Sequence, residues 1–452
     1  MRNKGITALL CAGLVSGTAI LAGAVPASAA GPAASAKAGA SAAEDVRERL
    51  ERIPGMTVVS VVDREGYPYY TLTYAQPVDH RDPRRGTFTQ RLTLWHKSTD
   101  RPTVFYTGGY TLPTGIASLT RLIDANQISV EHRYFADSRP AGPAGDDWSR
   151  MTIQQEASDE HRITQALRRI EKGKWLGTGG SKGGMTATYH ERFYPQDLDA
   201  VVAFVAPNDA HNRDDSTYER FFRTVGTEEC RDALNAVQRE MLVRRERLLP
   251  KFEADAVKNG DTFEETLGTT DRAYEFAVLD QVWNFWQSDT VENCATVPDA
   301  KAVGDDELYE WSKQHGFSVY QDETLGTNGS GPYYRQAATQ LGWADLKFKH
   351  LKDVRHHPDI YQPNSVLPAA MRGSYNNAAM ADVDRWVTTR GERMMFIYGQ
   401  NDPWSAEKFT PSRHDSYRFV VPGANHGASI GKLPAEQQEQ AISTIKRWAG
   451  VK

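Results

Sequence analysis

The chain has 452 residues and a formal net charge of -5 without long like-charge blocks. It therefore has no basic footprint for nucleic acid and no cationic amphipathic helix for a membrane surface. Beyond the N-terminal thirty residues no run of eighteen apolar residues occurs, which argues against a membrane span, and the remaining length suits an enzyme core carrying a large insertion.

Residues 1–30 read as a signal peptide. Arg2 and Lys4 form a positive start, Ile6 to Val25 an apolar and small-residue core, and Ala27-Ser28-Ala29 a cleavage signal. A secreted protein is expected. Residues 31–45, rich in Gly, Ala and Ser, are too poor in large apolar side chains to pack and read as a propeptide or disordered leader.

From about 56 to 107 strand-like runs dominate: VVSVVD, YYTLTYAQPV, TFTQRLTLWHK and PTVFYTGG. They are separated by turn signals such as Arg64-Glu65-Gly66 and the Asp79 to Gly86 stretch. From Ser118 helix-like segments alternate with short apolar strands, including Ile128 to Glu131, as in an α/β sheet with an antiparallel start.

The stretch LGTGGSKGGMTATYH then carries chemistry. Lys174 to Thr178 reads as a strand and Met185 to Arg192 as a helix, with Leu198 to Val205 as a buried parallel strand beyond them. Gly179, Ser181 and Gly183 fill the G-x-S-x-G pattern, a sharp strand-to-helix turn with no room for flanking Cβ atoms. Ser181 is the candidate nucleophile, and the Lys182 N–H points to where an oxyanion would develop. The Lys182 side chain, pointing away from Ser181, is assigned no catalytic role. Glycines in Thr107-Gly108-Gly109-Tyr110, after the PTVFY strand, let the amides near Gly109 and Tyr110 supply the second oxyanion donor.

Between 208 and 384 helical periodicity takes over. Leu234, Val237, Met241 and Leu248 recur at helical spacing, as do Phe276, Leu279, Trp283 and Trp286. This segment reads as a helical cap between two parts of one core domain, 46–207 and 385–452. The charges from Arg239 to Arg247 read as a solvated helix face. With Cys11 removed in the signal peptide, Cys230 and Cys294 remain, an even pair expected to form a disulfide in an oxidising compartment. His356-His357 are not expected to bind a metal, since adjacent side chains diverge and Pro358 interrupts a helix there.

Strands resume with RMMFIY and YRFVV, and Ala435 to Trp448 reads as a closing helix. Asp402 follows the first strand, with Pro403 biasing it away from helical geometry; His426 follows the second, between Asn425 and Gly427. A serine needs a base and usually a carboxylate to orient that base. Ser181, Asp402, His426 is the chain order of the α/β-hydrolases, so the expected class is an α/β-hydrolase fold with a large helical cap. This chemistry calls for no metal or cofactor.

Read together, TFTQRLTLWHK, EHRYFADSRP, GTGGSKGGM, YRQAATQLGW and NDPW resemble the secreted bacterial tripeptidyl aminopeptidases, specifically the prolyl tri/tetrapeptidyl group. A more distant similarity is to the lysosomal Pro-X carboxypeptidase and dipeptidyl peptidase II group. The resemblance covers about residues 55–435 and implies a serine exopeptidase that releases N-terminal tripeptides or tetrapeptides, favours proline on the acyl side, and uses Ser181, Asp402 and His426. The chain departs from the lysosomal pattern at Lys182, Ala338 and Gln340, so the amine site does not carry over. Glu131, Asp137, Glu275 and Asp280 are candidates for holding the substrate ammonium, and Tyr334, Gln336 and Trp404 for the proline pocket. Expected partners are peptides with a free N-terminus; a monomer is favoured. An esterase or lipase on the same fold is the alternative, disfavoured by a highly charged cap.

Overall fold

The computed structural model describes residues 45–326 and 329–452. The expected signal peptide, 1–30, and all of the expected leader, 31–45, except its last residue lie outside them.

Nine strands form one sheet, in the order β1-β2-β3-β5-β4-β6-β7-β8-β9. β1 (Met56–Arg64), β2 (Tyr67–Pro77) and β3 (Thr87–Trp95) form an antiparallel meander. Its first turn is made by Glu65 and Gly66, both at positive φ, the backbone that a two-residue hairpin requires. β4 (Thr103–Thr107), β5 (Asn126–Val130), β6 (Trp175–Gly180), β7 (Ala200–Phe204), β8 (Met394–Gly399) and β9 (Tyr417–Val421) run parallel to one another. β7 and β8 are apolar runs without alternation because helices cover both faces of the sheet. This sheet, with a strand-turn-helix at Ser181, is an α/β-hydrolase fold.

On one face α1 (Ile153–Leu167) and α2 (Lys182–Phe193) pack Ile153, Ala157, Met185 and Tyr189 against sheet residues such as Phe105 and Val201. The other face is closed by the C-terminal helix Ala435–Ala449 through Ile445 and Trp448.

Helices occupy most of the chain between β7 and β8. α3 (Glu228–Val243), α4 (Arg245–Asn259) and α5 (Thr270–Ser288) share a core of their own that includes Val237, Met241, Leu248, Phe276 and Trp283. α6 (Ala378–Thr389) instead buries Met380, Val383 and Val387 in the core beside the sheet, so position 384 falls inside a helix of the hydrolase body. The arginines around the α3–α4 junction differ from a solvated face. Arg244 and Arg245 are buried, Arg244 against Glu240 and the Ala300 carbonyl, Arg245 against Asp271 and Glu275. Glu240 is one helical turn from Arg244, but Ala300, Asp271 and Glu275 are 26 or more residues away, beyond any sequence window.

Cys230 and Cys294 form a disulfide, with Cα atoms 5.4 Å apart, tying the start of α3 to the turn after α5. Replacing both with serine is expected to lower unfolding stability by about 2–4 kcal/mol by releasing the unfolded chain. Urea midpoints of the variant and of the reduced wild type should agree.

Candidate active site

Ser181 lies at the junction of β6 and α2 with φ 55° and ψ -128°. Its own N–H is held by the Phe204 carbonyl at 2.8 Å. The glycines around it answer to close packing: a Cβ on Gly179 would stand 2.3 Å from the Gly183 carbonyl carbon, and one on Gly183 2.2 Å from the Thr107 oxygen. Gly109, at φ 81°, is pressed against the start of α2, where a Cβ would lie 2.6 Å from the Gly183 nitrogen. The amides of Gly109 and Lys182 have no hydrogen-bond acceptor among the described residues. The Gly109 loop thus packs against the residue that follows Ser181, and the amides of both segments are left for an acceptor from outside.

Asp402, fully buried, stands just past the end of β8 in extended geometry, as Pro403 dictates. Its Oδ1 accepts from the Trp404 N–H at 3.1 Å and its Oδ2 from the Ser405 hydroxyl at 2.5 Å. Both oxygens lie 3.0 Å from His426 Nδ1. That contact fixes the proton on Nδ1 and turns Nε2 outward as a potential base. Ser181 Oγ makes no hydrogen bond among the described residues. All three residues follow the C-terminal ends of parallel strands, so they share one rim of the sheet.

The cap grips this rim through a residue the sequence did not single out. The His426 N–H donates to the Gln287 carbonyl at 3.1 Å, and Asn425 Nδ2 donates to the Ser288 and Asp289 carbonyls at 2.8 and 3.0 Å. These are carbonyls at the C-terminal end of α5, which lack partners within the helix. The Gln287 side chain also accepts a hydrogen bond from the Trp404 indole. One turn of α5 thus holds both the Asp402 loop and the His426 loop.

Rings continue from there across the rim. Trp404 lies 6.3 Å from His426 and 6.4 Å from Trp343, Trp343 lies 5.8 Å from Tyr334, Tyr334 5.0 Å from Tyr333, and Tyr333 5.6 Å from Tyr110 (centroid distances). Tyr334 and Trp404 therefore belong to one aromatic arch running from the His426 loop to the Gly109 loop. Gln336, completely buried on the helical turn that carries Tyr333 and Tyr334, has neither amide atom hydrogen-bonded among the described residues. Gln340 is engaged, accepting from the N–H of Ile153, the first residue of α1, at 2.8 Å.

The four carboxylates considered for an ammonium differ in their partners. Glu131 is buried and accepts from the Leu112 N–H and from Ser138, Asp137 is exposed beside Arg91, and Glu275 is paired with Arg245. Asp280 has uncharged partners: the hydroxyls of Tyr320 and Tyr361 and the amide of Asn284. Burial raises its carboxyl above the usual range, against the pull of those donors. Two further carboxyls stand high where the chain leaves β7 and beyond β8. Asp209 is pushed up to about 7 by burial and the nearby Asp215, and Glu407 to about 8 by burial and Asp209.

The Lys182 side chain is fully buried, with its Nζ 3.5 Å from Glu156 Oε2 of α1. Burial lowers the lysine, and the charges of Glu156 and Glu160 oppose that. Glu156 is itself raised by burial, but the Lys182 and His132 charges outweigh this and hold it well below the carboxylate range. Burial and the Glu156 charge push Glu160 far up.

A family profile described as PS-10 peptidase S37 matches residues 39–452. The chain belongs to the S37 peptidases. This S37 peptidase is 49% identical over 415 residues to the prolyl tri/tetrapeptidyl aminopeptidase of Streptomyces mobaraensis, covering 90% of this chain and 85% of that one. Among solved structures it is similar to proline iminopeptidase of Mycobacterium smegmatis (14% identity, 83% of this chain and 98% of that one, TM-score 0.38). It is also similar to an epoxide hydrolase of Vigna radiata (12% identity, 84% and 98%, TM-score 0.35). Those overlaps are slight, and the fold assignment rests on the sheet order and the turn at Ser181. As an S37 member the chain is a serine peptidase.

Proposed function

We propose that this peptidase is exported and releases N-terminal tripeptides from free N-termini, with tetrapeptides as a secondary product, favouring proline at the residue whose carbonyl is attacked. The observation that carries this reading is the buried Asp402 bonded to His426 on the rim that presents Ser181. His426 Nε2 takes the Ser181 proton as Oγ attacks. The oxyanion forms against the amides of Lys182 and the Gly109–Tyr110 loop, the protonated imidazole gives its proton to the leaving amine, and water then cleaves the acyl-enzyme. Catalytic hydrogen bonds often close only in the substrate complex, which accommodates the open Ser181 hydroxyl.

The aromatic arch suits a pyrrolidine ring, with Tyr334 and Trp404 as walls and the unused amide of Gln336 available to the peptide backbone. For the ammonium, Asp280 is favoured because its partners are uncharged, whereas Glu131 and Asp137 both face Arg91, at 3.8 and 2.6 Å, and Glu275 is paired with Arg245. Export is supported by the N-terminal pattern and by the disulfide, which persists in oxidising compartments. Among the described residues no helix is long and apolar enough to cross a membrane.

The test is the purified enzyme on Ala-Ala-Pro-p-nitroanilide and its N-acetyl form. Removing one member of a buried charge pair should lower kcat/KM by about 100-fold or more for the acetylated substrate. Long-chain p-nitrophenyl esters should be poor substrates. Equal rates on free and blocked peptides would remove the exopeptidase reading, and preference for the esters would favour a lipase.

A further inference from the structure

Behind the oxyanion site lies a buried polar cluster that the proposed chemistry does not use. Glu156 is its hub. One of its oxygens, Oε2, is approached by Lys182 Nζ at 3.5 Å, by His132 Nδ1 at 3.5 Å, and by the Tyr189 hydroxyl, which donates to it. Each of these groups is within two percent of complete burial. Lys182 is the first residue of α2, and its ammonium runs beneath the rings of Tyr110 and Phe135, 5.8 and 5.6 Å from their centroids.

His132 reaches the other half of the site. Its Nε2 lies 2.5 Å from the Thr107 hydroxyl, and its backbone N–H donates to the Tyr110 carbonyl at 3.0 Å. Thr107 and Tyr110 flank Gly108-Gly109, so one histidine clamps the loop at both ends. The loop and helix start also touch directly, since a Cβ on Gly109 would stand 3.0 Å from Lys182 Cβ. A single carboxylate therefore ties together the two elements that carry the Gly109 and Lys182 amides.

Stability alone gives little reason to keep such a pair. Lys182 Nζ has no hydrogen bond among the described residues, nor does Glu156 Oε1. Two charges buried at 3.5 Å with incomplete hydrogen bonding are commonly no better than an apolar pair of the same volume. What an apolar pair would lose is a fixed spacing between the Gly109 loop and the start of α2, which carry the two amides.

We propose that Glu156 and Lys182 are positioning residues that hold the two oxyanion donors in register. This rests on the Ser181 reading above, but not on the peptide specificity. The measurement compares Glu156→Gln and Lys182→Met with wild type on p-nitrophenyl acetate, an ester that engages little beyond the nucleophile and the oxyanion donors. It adds kcat and KM for Ala-Ala-Pro-p-nitroanilide, and inhibition by Ala-Ala-boroproline and by the product Ala-Ala-Pro. Each variant should lose about 10- to 100-fold in ester turnover and in peptide kcat, with KM within about twofold. Affinity for the tetrahedral boronate should fall in proportion while affinity for the product stays unchanged, and the double variant should lose less than the product of the two singles.

Unchanged ester turnover in both variants overturns the inference, as does an equal loss of boronate and product affinity, which marks a merely structural pair. If Lys182→Met fails to fold, Lys182→Arg keeps the charge and shifts the group, and the same divergence of boronate and product affinity decides. A wild type that turns over the ester but not the peptide refutes the peptide specificity, while the variants still test this inference on the ester.

Discussion

Ser181→Ala is expected to reduce kcat/KM on Ala-Ala-Pro-p-nitroanilide by at least about 10⁴-fold, the scale on which removal of an acylated serine operates. The fold should survive. The Ser181 hydroxyl makes no hydrogen bond among the described residues, and the turn is held by backbone contacts such as the Ser181 N–H to the Phe204 carbonyl. Alanine meets the same strain at φ 55° that serine does, so the thermal midpoint should stay close to wild type. Turnover by the variant within tenfold of wild type, after protein contamination is excluded by active-site titration, would mean that another group attacks the carbonyl.

Asp402→Asn is expected to cost about 10⁴-fold in kcat while leaving substrate affinity nearly unchanged. The carboxylate accepts from Trp404, Ser405 and His426 at once, and an amide can satisfy only some of these donors. With an amide N–H facing it, His426 Nδ1 becomes the acceptor, and the ring proton moves to Nε2, where a base is needed. Proton NMR should then lose the downfield Nδ1–H resonance expected of the wild type. A variant that keeps wild-type kcat would show that Asp402 does not orient the base.

Much of the site could be read locally. The strands appear as short apolar or alternating runs, and the turn at Ser181 shows itself because only glycine tolerates backbone oxygens 2.4 and 2.5 Å from a Cβ, as at Gly179. Asp402 and His426 were recognisable because each follows a strand in a loop shaped by Pro403 or by Gly427. Gln287 carried no such mark. It sits in the last turn of α5, a helix buried on nearly every side, where a glutamine next to a helix end reads as surface, and only the docking of α5 onto the rim brings it to Trp404 and His426. Glu156, His132 and the Lys182 side chain were equally unmarked. Charged residues usually face solvent, and nothing local shows that these three converge.

The amino-acid order by itself determined the strand succession, the sharp turn at Ser181, a carboxylate and a histidine after the last two strands, and the pair of cysteines free to join. These follow from backbone sterics and from the periodicity with which apolar side chains leave water, both properties of neighbouring residues. Only the tertiary structure decided that Asp402 reaches His426, that the cap seizes the His426 loop through Gln287, and that Lys182 finds Glu156 inside the protein. A polar group's partner is chosen by how whole elements stack, at separations of 24 and 26 residues for the first and last of these pairs, and no local pattern encodes that distance.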